Sequence, residues 1–496
     1  MSIARSAATG VLFTMGAQIA KILLQFASVA VLARLLSPHD YGLIALVLVV
    51  VGAGEVFRDF GLTAATIQAE SVSPAQRSQL FWLNTLIGVV IAAALFGLSW
   101  PISWLAAQPE LLAIVQVMSI LFVLNGLMTQ HRAQLQRQLR FKAIAVIDIV
   151  SAACGLASAV LAAFAGAGYW ALVLQQLMVG LIGMLFAFVA GRWWPRRPRR
   201  GIEVRGFVRF GWNLVATNMV MYAANQVDTL LVNAKFGTSS LGLYNRAFQL
   251  VMTPLNQVRG PLNGVAQPVY ARVQHDRVRF DRYVAAGQLA LGYVIGVPLA
   301  IIVALAEPLV RVMLGEAWMG AAPILRCFAV AAFLSNLSMV GYWVYVSRGL
   351  VSQLFRYTLV SLSIKVTCIV IGAQFGLVGV AIGFAVAPAI SWPISLFWLS
   401  RITSVPVRAL YLGALRVAAV GAVAAGTAWL VVLSLSSLAP VVILLVGGLA
   451  GLIIVGAFAL ALPWYRRDAA QLLWFGRLMI SKDDRGQASP SQVSHE

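Results

Sequence analysis

Long apolar runs, separated by short polar or Gly/Pro-containing segments, follow one another along almost the whole chain. Most contain about 20 or more predominantly apolar residues, the length that an α-helix needs to cross a bilayer. The pattern predicts an all-α polytopic membrane protein with about fourteen spans. We place them at approximately 7–34, 41–66, 79–104, 109–131, 142–165, 168–191, 207–234, 241–267, 283–306, 319–346, 351–374, 377–400, 407–434 and 439–463.

The distribution of Lys and Arg predicts the orientation of these spans. Of the 36 Lys and Arg residues, most lie in the predicted loops of one side, whereas the opposite loops hold only Arg34, Lys235 and Arg311. Loops rich in Lys and Arg remain in the cytoplasm. An even number of spans brings both termini to the same side, so we expect both termini in the cytoplasm.

Two short segments suggest an internal repeat. LSPHDYGL (36–43) follows the first predicted span and FGTSSLGL (236–243) follows the seventh, with Gly-Leu at corresponding positions. The interpretation is two six-helix lobes with a parallel relation, 1–200 and 201–402. A helix pair at 403–464 and a cytoplasmic tail at 465–496, which includes a possible interfacial helix, complete the predicted organisation.

Composition agrees with this assignment and excludes several classes of function. The chain is 61% hydrophobic and 10% charged, far from the balance of a soluble domain. The basic loops account for the net charge of +20, so nucleic acid is not an expected partner. The basic segment at 191–205 could contact anionic lipid. The three cysteines lie in apolar runs without a CxxC pair, and no Walker motif is found, so we expect no metal, disulfide, cofactor or ATP hydrolysis.

Charged residues within the predicted spans are the candidates for function. A charge at mid-membrane costs about 2.5–3.5 kcal/mol on insertion scales, so these side chains should face water or one another. Cations exceed acids, and a cavity of positive potential favours an anionic cargo, phosphate or pyrophosphate first and sugar carboxylates as the alternative. The cations are Lys21, Arg58, Arg246, Arg259, Arg326, Lys365 and Arg416, and the acids are Glu55, Asp59, Asp148 and Asp228.

EVFRDFG (55–61) concentrates three of these charges on one helix face, because Glu55, Arg58 and Asp59 have i, i+3 and i+4 spacing. One interpretation is a structural network that locks helix contacts. The other is one wall of a hydrated central cavity, at a depth similar to that of Arg259. Asp228 and Arg246 could meet near the outer side. Arg326 and Arg416 lie close to helix ends and could reach the membrane surface instead.

Two longer segments carry a family resemblance. LARLLSPHDYGLIALVLVVVGAGEVFRDFGLTAATIQ (32–68) and LGLYNRAFQLVMTPLNQV (241–258) resemble the paired signatures of Wzx-type polysaccharide-transporter flippases. The similarity is to the exopolysaccharide and colanic-acid-exporter branch of the multidrug/oligosaccharidyl-lipid/polysaccharide superfamily. It extends from about residue 5 to about residue 400 and implies two helical bundles around a central cleft, as in multidrug and toxic-compound exporters (MATE-like) and the lipid II flippase.

The resemblance also implies a function. Undecaprenyl-pyrophosphate-linked oligosaccharide would move from the cytoplasmic to the periplasmic leaflet of the inner membrane, by alternating access. Cleft cations of the family are thought to hold the pyrophosphate or anionic sugars, and these would correspond to Lys21, Arg58, Arg246 and Arg259 here, with Lys365 a further candidate. Glu55, Asp59, Asp148 and Asp228 would couple ions or form structural networks.

Two other functional classes remain as alternatives. A small-molecule antiporter of the same fold would need an acid-dominated cavity for cationic drugs. A membrane glycosyltransferase or polymerase would need a large external loop, and the longest predicted one is only about 307–318. We therefore expect a transporter and not an enzyme. We also expect a monomer in the lipid bilayer, with the polysaccharide polymerase and chain-length proteins as possible partners.

Overall fold

The computed structural model describes residues 3–59, 73–197, 215 and 218–480. In this part of the chain, twelve helices are long and apolar enough to cross a membrane. The predicted polytopic all-α architecture is confirmed, whereas the count of about fourteen spans stays a prediction. The two predicted spans outside the twelve are 207–234 and 241–267. The first falls partly outside the described residues, and the second belongs to a helix whose many polar side chains lower its hydropathy.

The first of two compact units comprises Met1–Arg246 and Val310–Ala321. In this unit α6 packs against α7, α3 against α5, and α1 against α6. The predicted bounds agree with the helices to within several residues, except that α5 continues past 131 and that the predicted end of the second span at 66 lies outside the described residues. The helices are α1 (Ile3–Leu35), α2 (Pro38–Asp59), α3 (Pro74–Leu105), α4 (Glu110–Met118), α5 (Ile120–Arg137), α6 (Phe141–Phe164), α7 (Trp170–Gly191) and the first part of α8 (Val227–Val273).

The two segments of the predicted repeat contact each other within this unit. Gly237 has φ 80° and introduces a kink in α8, a backbone conformation that glycine adopts without strain. Beyond the kink α8 crosses the start of α2 at backbone contact. A Cβ atom at Gly42 would overlap the carbonyl oxygen of Thr238, and one at Gly242 would overlap that of Pro38. The crossing therefore requires a glycine on each helix.

The second compact unit comprises Ala247–Leu309 and Ala322–Glu496. A π-helical turn, Gly292–Gly296, joins its first two complete helices. The predicted lobe boundaries at 200 and 402 stay predictions. The helices that follow α8 are α9 (Arg277–Leu291), α10 (Val297–Ala304), α11 (Ala306–Met313), α12 (Ala321–Ser347), α13 (Val351–Gly372), α14 (Leu377–Ile402), α15 (Val407–Ser434), α16 (Pro440–Ala461) and α17 (Pro463–Ile480).

Aromatic side chains organise the core of the second unit. One cluster surrounds Tyr270 and Trp343, whose rings lie 5.5 Å apart. Another includes Tyr293 and Tyr465, with ring centroids 5.1 Å apart, and it holds the tail helix α17 against α9. The tail predicted at 465–496 thus contains a helix, as expected, and α17 is packed on the spanning helices at its first turns.

Candidate functional site

The charges of EVFRDFG form hydrogen bonds that join α2 to α5. Arg58 Nε donates to Glu55 Oε2 over 2.6 Å, and Arg58 NH1 donates to Thr129 Oγ1 over 2.7 Å. Asn125 Nδ2 donates to the other oxygen of Glu55 over 2.8 Å. We call these four residues the α2–α5 network. The side chain of Asp59 lies outside the described part of the chain.

Helix periodicity explains how the α2–α5 network forms. Glu55 and Arg58 are three residues apart on α2, and Asn125 and Thr129 are four residues apart on α5, so each pair shares one face of its helix. The Arg58 side chain is only 17% exposed. A charge at this burial needs compensation, and Glu55 supplies it. The described contacts are those of a helix lock, and a cavity-wall role for Arg58 stays a prediction.

Asp148 links three helices of the first unit. Its Oδ1 accepts a hydrogen bond from Arg132 NH1 at 2.7 Å, and its Oδ2 lies 3.6 Å from Lys21 Nζ. Arg132 lies just beyond the predicted span 109–131, in a predicted loop. The helix continues to Arg137, which places Arg132 within α5, one turn from its end, and makes it available to α6. Lys21, with 48% of its side chain exposed, is the more hydrated of the two cations.

Arg246 is held by an aromatic ring. Its guanidinium carbon lies 3.7 Å from the ring centroid of Tyr41, an arrangement typical of a cation–π interaction. The Tyr41 ring is itself fixed edge-on by Trp318, whose indole N–H donates to the Ala33 carbonyl over 2.8 Å. Arg246 Nε is buried without a hydrogen-bond partner. Tyr41 and Arg246 belong to the two signature segments, which therefore meet here.

Asp228 does not form the expected contact with Arg246. Its Oδ2 accepts a hydrogen bond from the Tyr244 hydroxyl at 3.0 Å, and its Oδ1 is buried without a hydrogen-bond partner. Among the described residues no ion pair joins Asp228 to Arg246. Asp228 thus contacts Tyr244 of α8, and not Arg246 as the sequence suggested.

Two candidate cations of the second unit, Arg259 and Lys365, contact uncharged side chains. Arg259 NH2 donates to Ser335 Oγ over 2.8 Å, and Arg259 Nε is buried without a hydrogen-bond partner. The Lys365 ammonium lies 5.0 Å from the ring centroid of Phe384. Like Arg246, Arg259 has no carboxylate at ion-pair distance among the described residues.

The two cations near helix ends have acidic partners. Arg326 NH2 lies 2.8 Å from Glu307 Oε1. Arg416 NH1 lies 2.6 Å from Oδ1 of Asp468, a tail-helix residue whose side chain is 2% exposed and whose Oδ2 accepts the Tyr293 hydroxyl at 3.0 Å. The sequence showed no partner for Arg416 because Asp468 follows the last predicted span.

The candidate cations therefore differ in whether a carboxylate lies at ion-pair distance. Lys21, Arg58, Arg326 and Arg416 each have a carboxylate partner, which neutralises their charge locally. Arg246 and Arg259 instead face an aromatic ring and a hydroxyl, and each keeps a buried N–H donor without an acceptor. A guanidinium with an unused donor and uncompensated charge can bind an oxyanion. These two residues are the strongest anion-binding candidates, one in each unit.

Comparisons with known proteins agree with the resemblance. Residues 31–323 match the family described as "Polysaccharide biosynthesis protein". The lipopolysaccharide biosynthesis protein WzxC of Escherichia coli is 25% identical over 80% of this chain and 81% of its own. The succinoglycan biosynthesis transport protein ExoT of Rhizobium meliloti is 27% identical over 62% of each chain.

Solved structures of two transporters share the fold. The lipid II flippase MurJ, in an inward closed conformation, superposes with a TM-score of 0.67 at 13% identity, over 91% of this chain and 99% of the flippase. An inward-facing multidrug resistance MATE family transporter gives 0.57 at 14% identity, over 81% and 98%. The MATE-like fold that the resemblance implied is therefore confirmed.

Proposed function

Because the chain belongs to the polysaccharide biosynthesis protein family, we propose that it is a flippase for undecaprenyl-pyrophosphate-linked oligosaccharide repeat units. It moves them from the cytoplasmic to the periplasmic leaflet during exopolysaccharide or O-antigen synthesis. A relative named as a succinoglycan transport protein and a fold shared with a lipid II flippase support this proposal.

The observation that carries the proposal is the state of Arg246. Its guanidinium is stacked on Tyr41, has no acid at ion-pair distance among the described residues, and keeps a buried Nε donor. A cationic drug would be repelled by such a side chain, whereas a pyrophosphate or an acidic sugar would satisfy it. Arg259 offers a second donor of the same kind. The acids Glu55 and Asp148 are already paired with cations, which disfavours an acid-based site for cationic cargo.

The transport cycle that we propose is alternating access. The glycan and pyrophosphate bind to cations of a hydrated cleft between the lobes 1–200 and 201–402 while the polyprenyl chain stays in lipid. Rocking of the lobes then exposes the cargo to the periplasm. Both termini lie in the cytoplasm, and the protein acts without enzymatic chemistry as a monomer of the inner membrane, beside a polymerase and chain-length proteins. Moving one elementary charge against the membrane potential costs about 2.3 kcal/mol per 100 mV.

Deletion of the gene tests the proposal directly. We expect the lipid-linked repeat unit to accumulate in the cytoplasmic leaflet, inaccessible in intact spheroplasts to a membrane-impermeant glycan-modifying reagent. Re-expression of the wild-type chain should restore access, and Arg246→Gln at equal protein level should not. Normal access of the repeat unit in the deletion strain, together with altered sensitivity to cationic drugs, would contradict the proposal and favour an antiporter.

A further inference from the structure

A groove of about 430 Å³ lies between the first turns of α6 and the last turns of α7. None of the charged side chains of the candidate site lines this groove, and its volume is within the usual range of ligand pockets. We call it the α6–α7 groove, and it is lined by Arg140, Lys142, Ala143, Val146, Ile147, Phe186, Val189 and Ala190.

Two chemically different parts make up the groove. Arg140 and Lys142, both exposed, form its cationic end, whereas its sides are apolar: Val146, Phe186 and Val189 are exposed and Ile147 is buried. The first acidic residue along α6 is Asp148, which pairs with Arg132 and Lys21. A phosphate beside an acyl chain has the matching distribution of charge and apolar surface. Basic pockets at one end of spanning helices are typical sites for anionic lipid headgroups.

The turn between α5 and α6 holds Arg140 in place over the groove. Leu139 has φ 55°, and the Arg140 N–H donates to the Leu135 carbonyl over 2.9 Å. Arg140 NH1 donates to the Ala190 carbonyl on α7 over 2.8 Å. A guanidinium has five N–H donors, so this single bond orients the side chain and leaves donors for a phosphate. The Arg140 side chain is therefore held at the groove by α7.

From these observations we propose that the α6–α7 groove binds an anionic phospholipid of the bilayer. Its phosphate lies between Arg140 and Lys142, and the start of one acyl chain lies along Val146, Phe186 and Val189. The apolar sides extend only about 10 Å from the cationic end, as helical rise indicates, which suits the first part of an acyl chain. Among the groove residues, none has an uncharged hydrogen-bonding side chain, so the glycan of a lipid-linked sugar would find no partner there.

Lipid retention by the purified full-length protein tests the site. The protein is titrated in a neutral detergent with dioleoylphosphatidylglycerol or dioleoylphosphatidylcholine, and bound lipid is counted by native mass spectrometry. For Arg140→Gln/Lys142→Gln we expect about 30-fold weaker phosphatidylglycerol binding, because two cations near a phosphate are lost, and unchanged phosphatidylcholine binding. The matched control is Arg272→Gln/Arg408→Gln, which removes two exposed cations at the ends of other helices and should bind phosphatidylglycerol like the wild type.

Equal phosphatidylglycerol binding by the two double variants would overturn the proposal. Val189→Glu provides a second test that leaves the Arg140 hydrogen bond intact: a carboxylate at this exposed position should repel the phosphate and weaken phosphatidylglycerol binding at least tenfold, and unchanged binding would overturn the proposal as well. Undecaprenyl pyrophosphate is the competing ligand. If it displaces phosphatidylglycerol from the wild type at equimolar concentration, the groove is a cargo site and the assignment to a resident phospholipid is wrong.

Discussion

The substitution Arg58→Ala tests whether Arg58 holds α2 against α5 or binds the cargo. It removes two hydrogen bonds of a charged group, at 2.6 Å to Glu55 and 2.7 Å to Thr129. Bonds of this kind contribute about 1.5–3 kcal/mol each, and the removal leaves Glu55 with Asn125 as its described partner. Because the Glu55 side chain is 31% exposed, water replaces part of the loss. We therefore expect the free energy of unfolding to fall by about 2–4 kcal/mol.

The assay compares unfolding of the purified protein in detergent with transport in cells at matched protein level. Thr129→Val should cost about 1.5–2 kcal/mol, because it removes only one of the two hydrogen bonds of the guanidinium. The matched control is Thr358→Val, since the Thr358 hydroxyl donates to the Leu354 carbonyl of its own helix over 2.8 Å. The expected order of stability is wild type and Thr358→Val first, then Thr129→Val, then Arg58→Ala.

A double-mutant cycle isolates the interaction between Glu55 and Arg58. If the pair is a lock, Glu55→Gln combined with Arg58→Met should destabilise the protein less than the sum of the single changes, with a coupling of about 1–3 kcal/mol. The reasoning is refuted if Arg58→Ala unfolds like Thr358→Val and yet abolishes transport. The guanidinium would then act on the cargo and not on α5.

Three further predictions concern other contacts. Gly42→Ala should reduce folded protein and transport strongly because its Cβ would overlap the Thr238 carbonyl, whereas Gly97→Ala, with open space around it, should resemble the wild type in abundance and transport. Tyr41→Leu should cost about 0.5–2 kcal/mol in unfolding experiments by removing the ring that holds a guanidinium, and Tyr41→Phe should cost less. Burial raises the pKa of Asp468, against the opposing effect of its arginine and tyrosine partners. Protonation of Asp468 therefore stabilises the docked tail helix. This stabilisation is fully present below the ordinary pKa of a carboxyl group and is lost as the pH rises through the raised pKa. Protection of α17 from proteolysis should increase on acidification. In Asp468→Asn this pH dependence should disappear.

Hydropathy was sufficient to predict most spanning helices because a helix in a bilayer satisfies its own backbone and needs only a sufficient apolar length. The bounds of α15 agree with the predicted span 407–434 at both ends. The method is least informative at α8, whose interior carries Asn, Gln and Arg side chains. Those side chains depend on neighbours for compensation, and a window of local hydropathy contains no information about neighbours.

In the candidate site too, some contacts can be predicted from the sequence and others depend on tertiary packing. The pair of Glu55 with Arg58 follows from i, i+3 spacing alone, and the excess of cations over acids in the spans is visible in the residue order. The partners Thr129 for Arg58, Tyr41 for Arg246 and Asp468 for Arg416 come from helices that are distant in the chain. Helix periodicity is a local property, so sequence predicts which charges share a face. Which cation is neutralised and which stays available to an anion depends on how the helices pack.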